Sequence, residues 1–280
     1  MNIALVGYGQ MGRMVHDIAV HRGHTVVAIV DPTIDDPSTG AASCGDASSS
    51  SGTAPGAGAP VRARALVPEL LTGADVAIEF SLADAVVDNV RVYAAAGVSA
   101  VIGTTGWTDR IDTVVSIVAD AGIGIVYGSN FSIGAHVFFR VAASAARLVA
   151  DLDEYDVMIH EIHHRRKKDS PSGTALTLAE HVLGALPAKT AIETGRLDRA
   201  PHAHELHVSS TRGGANPGCH TLYLDSEADT IEVRHQARSR VGFAGGAVRA
   251  GEWLAERTGL YTVDDFINDT LEPEHRGKQC

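Results

Sequence analysis

Through the first half of the chain, short uniformly apolar runs alternate with stretches whose apolar residues recur every three or four positions. The runs predict strands at Asn2 to Gly7, Thr25 to Asp31, Asp75 to Phe80, Ser99 to Gly103 and Gly124 to Tyr127, and the periodic stretches predict helices over Met11 to His21, Leu82 to Ala96 and Thr108 to Ala121. Each helix runs into a glycine, Gly23, Gly97 or Gly122, where a left-handed terminal conformation meets no Cβ clash. Strands without polar alternation are covered on both faces, so this order predicts an α/β, doubly wound parallel sheet.

After Ser129-Asn130-Phe131-Ser132 the pattern changes. A long helix is predicted over Ala135 to Ala150. Alternating apolar and polar strands follow at Glu154 to His163, Glu205 to Thr211, His220 to Asp225 and Thr230 to His235, the last two joined by Ser226-Glu227-Ala228-Asp229. Alternation implies one buried face and one open face, which predicts a second, smaller α+β domain with a mainly antiparallel sheet. A helix over Phe243 to Thr258 and a short element after Gly259-Leu260-Tyr261 complete the pattern. One segment breaks it: residues 35–60 are rich in Ser, Gly, Ala and Pro and carry no aromatic or large aliphatic side chain. Such a stretch buries too little apolar surface to offset its ordering entropy and is expected to be a flexible insertion.

Composition narrows the function. A formal net charge of −11 over 280 residues argues against a nucleic-acid binder, which needs cations for the phosphates. With 45% hydrophobic and 20% charged residues, the chain reads as a globular protein able to form a sizeable core. No apolar run is long enough to suggest a membrane span, and the start, Met1-Asn2 followed by Ile3, lacks the basic flank of a secretory signal. Cys44, Cys219 and Cys280 are odd in number and scattered, which suits a reducing compartment better than a disulfide framework. A cytoplasmic location is expected.

The first strand leads directly into Gly7-Tyr8-Gly9-Gln10-Met11-Gly12, which opens a helix and so meets the context that gives G-x-G-x-x-G its meaning. Gly7 permits the tight turn, Gly9 lets backbone approach a pyrophosphate, and Gly12 allows close helix packing, while the helix N-terminus presents unpaired amides to the anion. Asp31 ends the second strand 19 residues after Gly12, where a carboxylate accepts hydrogen bonds from an adenosine ribose. These residues predict a dinucleotide-binding, Rossmann-type domain, against the alternative of a glycine turn in another nucleotide fold. The residue after Asp31 is Pro32 rather than a cation, which favours NADH over NADPH, although Arg13 or a residue of the insertion could supply charge. Gly103-Thr104-Thr105-Gly106 and Gly128-Ser129-Asn130-Phe131 lie at strand ends and are candidates for the nicotinamide side; helix capping is their structural alternative.

The densest polar run is Glu161 to Thr174, with six bases in a row from His163 to Lys168 in a chain that has only four lysines. A Ser-Pro-Ser-Gly-Thr turn then opens a helix predicted over Ala175 to Leu183, aiming free amides at a carboxylate or phosphate. Imidazole and ammonium side by side can bind an anionic substrate and protonate it. A solvated basic turn is the plainer reading. A metal site using His202, His204 or His207 is disfavoured because the flanking Arg and Lys repel a cation and no helical ligand spacing is present.

These residues resemble the 4-hydroxy-tetrahydrodipicolinate (dihydrodipicolinate) reductase family of lysine and diaminopimelate synthesis. The resemblance rests on Gly7 to Arg13, Val101 to Gly106, Ser129 to Gly134, the long run Glu161 to Ala175, Arg212-Gly213-Gly214 with Pro217-Gly218 and His220, and Ser239-Arg240 with Phe243-Ala244 and Gly246-Ala247-Val248, in order over about 240 residues. It implies hydride delivery from NADH or NADPH to a cyclic imine dicarboxylate, with His163 as the acid/base group and Lys167 as the proton donor. His164, Gly173 and Thr174 would bind substrate, and Gly103 to Thr105 with Gly128, Ser129, Asn130 and Phe131 would meet the nicotinamide. It further implies that residues 240–280 rejoin 1–131 as the dinucleotide-binding domain, that 132–239 form the substrate and oligomerisation domain, and that the chain assembles as a homotetramer. The rival readings are a related amino-acid dehydrogenase, acting on diaminopimelate or aspartate, and a catalytically silent NAD-binding protein.

Overall fold

The computed structural model describes residues 1–34 and 59–272, so all but the last two residues of the expected insertion at 35–60 lie outside the described residues. The chain divides into two compact units, Met1–Phe131 with Phe243–Cys280, and Ser132–Gly242. The first unit begins β1 (Asn2–Val6), α1 (Gln10–His21), β2 (Thr25–Val30), β3 (Val61–Ala63), β4 (Val76–Glu79), α2 (Val86–Ala96), β5 (Ser99–Ile102), α3 (Ile111–Ala121) and β6 (Gly124–Tyr127). The second unit holds α4 (Ile133–Leu148), β7 (Asp156–His163), α5 (Gly173–Leu183), β8 (Ala191–Glu193), β9 (Glu205–Arg212), β10 (Cys219–Asp225) and β11 (Thr230–Gln236). The chain then continues through α6 (Val241–Leu254), β12 (Gly259–Thr262) and α7 (Val263–Leu271).

In the first unit seven strands form one parallel sheet in the order β12-β6-β5-β4-β1-β2-β3. Ile3, Ala4, Val76, Ala77, Ala100 and Val101 are wholly buried, as strands covered on both faces require. The winding reverses at β1, with β2 on one side and β4 on the other, so the loops leaving β1 and β4 part at the carboxyl end of the sheet and open a ligand crevice. Helices α2 and α3 end in left-handed Gly97 (φ 66°) and Gly122 (φ 64°). Each is preceded by a single 3₁₀ turn, Ala83–Ala85 and Thr108–Arg110, at the start of the span predicted as continuous helix. Strands β3, β8 and β12 have no counterpart in the sequence reading; β3 and β8 span three residues, too few to show a period. The helix expected to reach Thr258 stops at Leu254, and the chain turns through Arg257 N–H, which donates to the Leu254 carbonyl (2.9 Å), into β12.

The second sheet runs β11-β10-β7-β9-β8 and is mixed. β10 is antiparallel to β11 and β7, as expected, but β9 is parallel to both β7 and β8. The correction follows from connectivity: α5 is the crossover that returns the chain to β8 in the direction of β7, and residues 194–204 carry it back once more before β9 is laid between the two. Phe138, Phe139 and Ala142 of α4 and Leu178 and Val182 of α5 pack on Val157, Ile159, Val208, Leu222 and Leu224 of the sheet. Along β7 the buried positions are Val157, Ile159, Glu161 and His163. The covered face of this strand therefore passes from apolar to ionisable over its last four residues.

Candidate active site

The end of β7 in the second unit gathers an ionisable cluster. Glu161 is wholly buried and His163 is 7% exposed. Strand register sets Arg212 of β9 opposite His163 and His220 of β10 opposite Glu161. One Glu161 oxygen, Oε1, accepts from Arg212 Nη2 at 2.6 Å and from the Ser172 backbone N–H at 3.2 Å; the other, Oε2, is bonded to His163 Nδ1. Ser172 caps α5, its Oγ accepting from Ala175 N–H at 3.2 Å and meeting His220 Nε2 at 3.1 Å.

Electrostatics follow from this geometry. Burial works against ionisation of Glu161, but the hydrogen bonds from His163 and Arg212 outweigh it and hold the carboxyl at about 2. Burial pushes His220 down to about 4, so it is neutral at physiological pH. An ionised carboxylate can only accept, so His163 donates its Nδ1–H to Glu161 and leaves Nε2 free. The Nε2 edge faces Gly218 (φ +149°), where an added Cβ would lie 2.9 Å from Nε2. Glycine at 218 keeps a side chain from crowding that edge of the imidazole.

His163 and Glu161 thus meet the helix cap, while Lys167 Nζ is paired with Asp169 at 2.9 Å. His164 donates its backbone N–H to the Asn216 carbonyl at 2.8 Å, and Gly173 and Thr174 form the first turn of α5. Of the six consecutive bases, Arg165, Arg166 and Lys168 are exposed, so the sheltered part of the run is His163, His164 and Lys167. Three buried nitrogens on residues of this region, His164 Nδ1, Arg212 Nε and His220 Nδ1, have no hydrogen-bond partner. Unsatisfied buried polar atoms cost about 1–3 kcal/mol each, so these nitrogens on the residues around Glu161 are donors and acceptors that a polar ligand would satisfy. Glu161, His163 and His220 also bring ligand-type atoms within 4.8 Å of one another, a set that spacing along the sequence did not suggest. The cation this carboxylate meets is the Arg212 guanidinium. His202 and His204 stack on each other with ring centroids 5.6 Å apart and are exposed.

In the first unit the glycine loop has the form a dinucleotide needs. A Cβ at Gly7 (φ +88°) would lie 2.1 Å from the Phe80 carbonyl oxygen and one at Gly12 2.1 Å from the Gly7 oxygen, whereas Gly9 has open space around it. Asp31 accepts from the Tyr8 backbone N–H at 2.6 Å and from Thr33, and these bonds hold its carboxyl below the usual range against the effect of burial. Arg13 and Arg62 lie over the Tyr8 ring, 5.2 and 5.9 Å from its centroid. Gln10 and Met11 open α1. The two further glycine turns are brought together: Thr104, Thr105, Gly128 and Ser129 line one pocket of about 370 Å³ with Trp107 and Val263. A Cβ at Gly103 would strike the Phe80 ring at 2.1 Å, and Phe131 is buried with its carbonyl against Gly246. Asn130 follows Ser129 in the turn and makes a polar contact.

Comparison with known proteins gives this arrangement a family. The model for the N-terminus of dihydrodipicolinate reductase matches residues 1–131, and that for its C-terminus matches residues 134–267. The chain belongs to the dihydrodipicolinate reductase family. A 4-hydroxy-tetrahydrodipicolinate reductase of Christiangramia forsetii is 35% identical over 97% of this chain and all of its own length. One from Methanosarcina acetivorans is 40% identical over 70% of this chain and 74% of its own. Among solved structures, a dipicolinate-bound dihydrodipicolinate reductase from Paenisporosarcina sp. TG-14 covers 94% of the chain and 97% of its own at TM-score 0.70 and 22% identity, a likeness of fold. The diaminopimelate dehydrogenase of C. glutamicum, at TM-score 0.50 and 16% identity, shares the fold alone, over 98% of this chain and 97% of its own.

Sequence reasoning singled out His163, His164 and Lys167 in this reductase but assigned no role to Glu161, Ser172, Arg212, Gly218 or His220. The available signal was period two along β7: a Glu at the buried phase of a strand, two residues before a His at the same phase, requires a cation and donors to satisfy it.

Proposed function

We propose that the chain reduces 4-hydroxy-tetrahydrodipicolinate to tetrahydrodipicolinate with one hydride from NAD(P)H and one proton, the 4-hydroxyl leaving as water, in lysine and diaminopimelate biosynthesis. The observation that carries this reading is the Glu161-to-Thr174 run folded into one buried cluster at a helix cap, in a chain whose two halves both match the reductase family. The amino-acid dehydrogenase and silent-binder readings offer no reason for that cluster.

In this proposal residues 1–131 and 240–280 bind the dinucleotide and residues 132–239 bind substrate. Gly7, Tyr8, Gly9, Gln10, Met11 and Gly12 cradle the pyrophosphate, Asp31 takes the ribose, and Gly103, Thr104, Thr105, Gly128, Ser129, Asn130 and Phe131 border the nicotinamide. The fit rests on the loop geometry: Gly7 and Gly12 have no room for a side chain, and Gly9 leaves open space for a ligand. Asp31 followed by Pro32 favours NADH, and Arg13 and Arg62 are the groups that would receive a 2′-phosphate when NADPH is used. The bound nicotinamide supplies the hydride. Gly173 and Thr174 at the α5 N-terminus, with His164, hold the substrate carboxylates. His163 exchanges a proton at Nε2, and Lys167 Nζ donates a proton where reduction leaves negative charge. Both steps fit the half-exposed Lys167 and a His163 Nε2 that no side chain at position 218 crowds.

A soluble dicarboxylate substrate and a nicotinamide coenzyme suit a cytoplasmic enzyme, and among the described residues no helix is long and apolar enough to cross a membrane. The half-exposed sheet face bearing Met158, Ile162 and Tyr223 supports assembly into a homotetramer. The test is to follow NADH absorbance with freshly generated substrate. His163→Ala and Lys167→Ala should each reduce turnover by about 10²-fold or more with NADH affinity unchanged, and wild-type rates in both variants would overturn the assignment.

A further inference from the structure

Glu161 has no place in the roles above, yet it is wholly buried and takes donors on both oxygens. We propose that Glu161 is a positioning residue for the reduction: it fixes His163 as the Nδ1–H tautomer, so that Nε2 is the atom that exchanges a proton with substrate. The proposal rests on the reading of His163 as the acid/base group.

The carboxylate is oriented by groups that do not belong to His163. Arg212 Nη2 reaches Oε1 from β9 and is itself anchored on the Asp169 carbonyl at 2.7 Å, and the Ser172 N–H reaches the same oxygen from the cap of α5. Oε2 is thereby presented to the imidazole, and a carboxylate can only accept there. The tautomer is set by the hydrogen bond at the other ring nitrogen. His220 stands at 5.1 Å edge-on to His163 with its Nε2 on Ser172 Oγ, which limits rotation of the ring out of this plane. At Nε2 there is no room for a side chain at position 218, and glycine there spares the nitrogen that contact.

The arrangement makes Glu161→Gln an unusual probe. Arg212 and Ser172 both donate, so they select the carbonyl oxygen of the new amide, and its NH₂ is left pointing at His163 Nδ1. Two donors cannot face each other, so Nδ1 must accept and the ring must carry its proton on Nε2. The variant preserves shape and nearly all packing while inverting the tautomer.

The experiment combines steady-state kinetics with ¹⁵N NMR of histidine-labelled full-length protein. Expected results are an Nδ1–H signature for His163 in the wild type, an Nε2–H signature in Glu161→Gln, a fall in kcat of about 10²-fold with the KM for substrate within about threefold, and partial recovery of kcat in Glu161→Asp, which restores the acceptor. A merely structural role would not invert the tautomer. An Nε2–H signature in the wild type, or wild-type kcat in Glu161→Gln, overturns the proposal. If Glu161→Gln does not fold, the wild-type tautomer and the Glu161→Asp rate decide it. His163→Ala separates the two layers: if it keeps the wild-type rate, the reading of His163 fails, whereas if it loses activity while Glu161→Gln does not, only the role of Glu161 fails.

Discussion

The Arg212 guanidinium is the cation on which the buried cluster depends, and replacing it with methionine removes the charge while keeping much of the stem. Arg212 is 19% exposed at its side chain and Glu161 0%, with 2.6 Å between Nη2 and Oε1. Breaking one side of such a buried pair typically costs about 3–5 kcal/mol, because the remaining charge is left undercompensated. Titration bounds what all the partners of Glu161 supply together: a carboxyl held at about 2 in the fold against its ordinary 4.5 corresponds to ~3 kcal/mol of stability, shared between the His163 and Arg212 bonds. The folded value lies below the free value, so this contribution is fully present above 4.5 and is lost as pH falls toward 2. Arg212→Met should therefore lower unfolding free energy at pH 7 by about 3 kcal/mol. The gap to wild type should shrink to roughly half by pH 3, since the carboxyl of the unfolded chain, at its ordinary 4.5, is by then protonated while the folded one is still mostly ionised. Urea unfolding followed by far-UV circular dichroism at several pH values between 7 and 3 measures both quantities. An equal midpoint at pH 7, or a gap that does not change with pH, would refute the reasoning.

Gly218→Ala adds a Cβ 2.9 Å from His163 Nε2 at a φ of +149° and should cut kcat by roughly tenfold, through about 1–3 kcal/mol of displacement, while NADH binding measured by fluorescence stays unchanged. Gly7→Ala would force a contact of 2.1 Å with the Phe80 carbonyl and should weaken NADH binding at least tenfold in the same titration, because the loop must open by an amount costing about 1–3 kcal/mol. Arg62→Ala should raise the KM for NADPH by about tenfold, the scale of one charge-assisted hydrogen bond, and leave that for NADH within error; an equal effect on both coenzymes would exclude a role at the 2′-phosphate.

The parts of this protein legible in its sequence are those written in local pattern. The unbroken apolar runs, the 3.6-residue repeats between them and the glycine loop followed by Asp31 state a doubly wound sheet with a dinucleotide crevice, because strand burial, helix amphipathicity and turn conformation depend on residues a few positions apart. The same holds for the His163 to Thr174 run, where base, turn and helix cap are contiguous. The parts decided by the tertiary structure are pairings across strands. Arg212 meets Glu161 from 51 residues away, His220 meets Ser172 from 48, and β12 joins β6 at the edge of the first sheet. A period of two tells which face a residue occupies but not which strand lies beside it or in what register, and the parallel setting of β9 on β7 exists only through the return connections by way of α5 and β8. Sequence therefore named the imidazole and the ammonium, while the carboxylate that orients one and the guanidinium that steadies that carboxylate emerged once the strands were laid side by side.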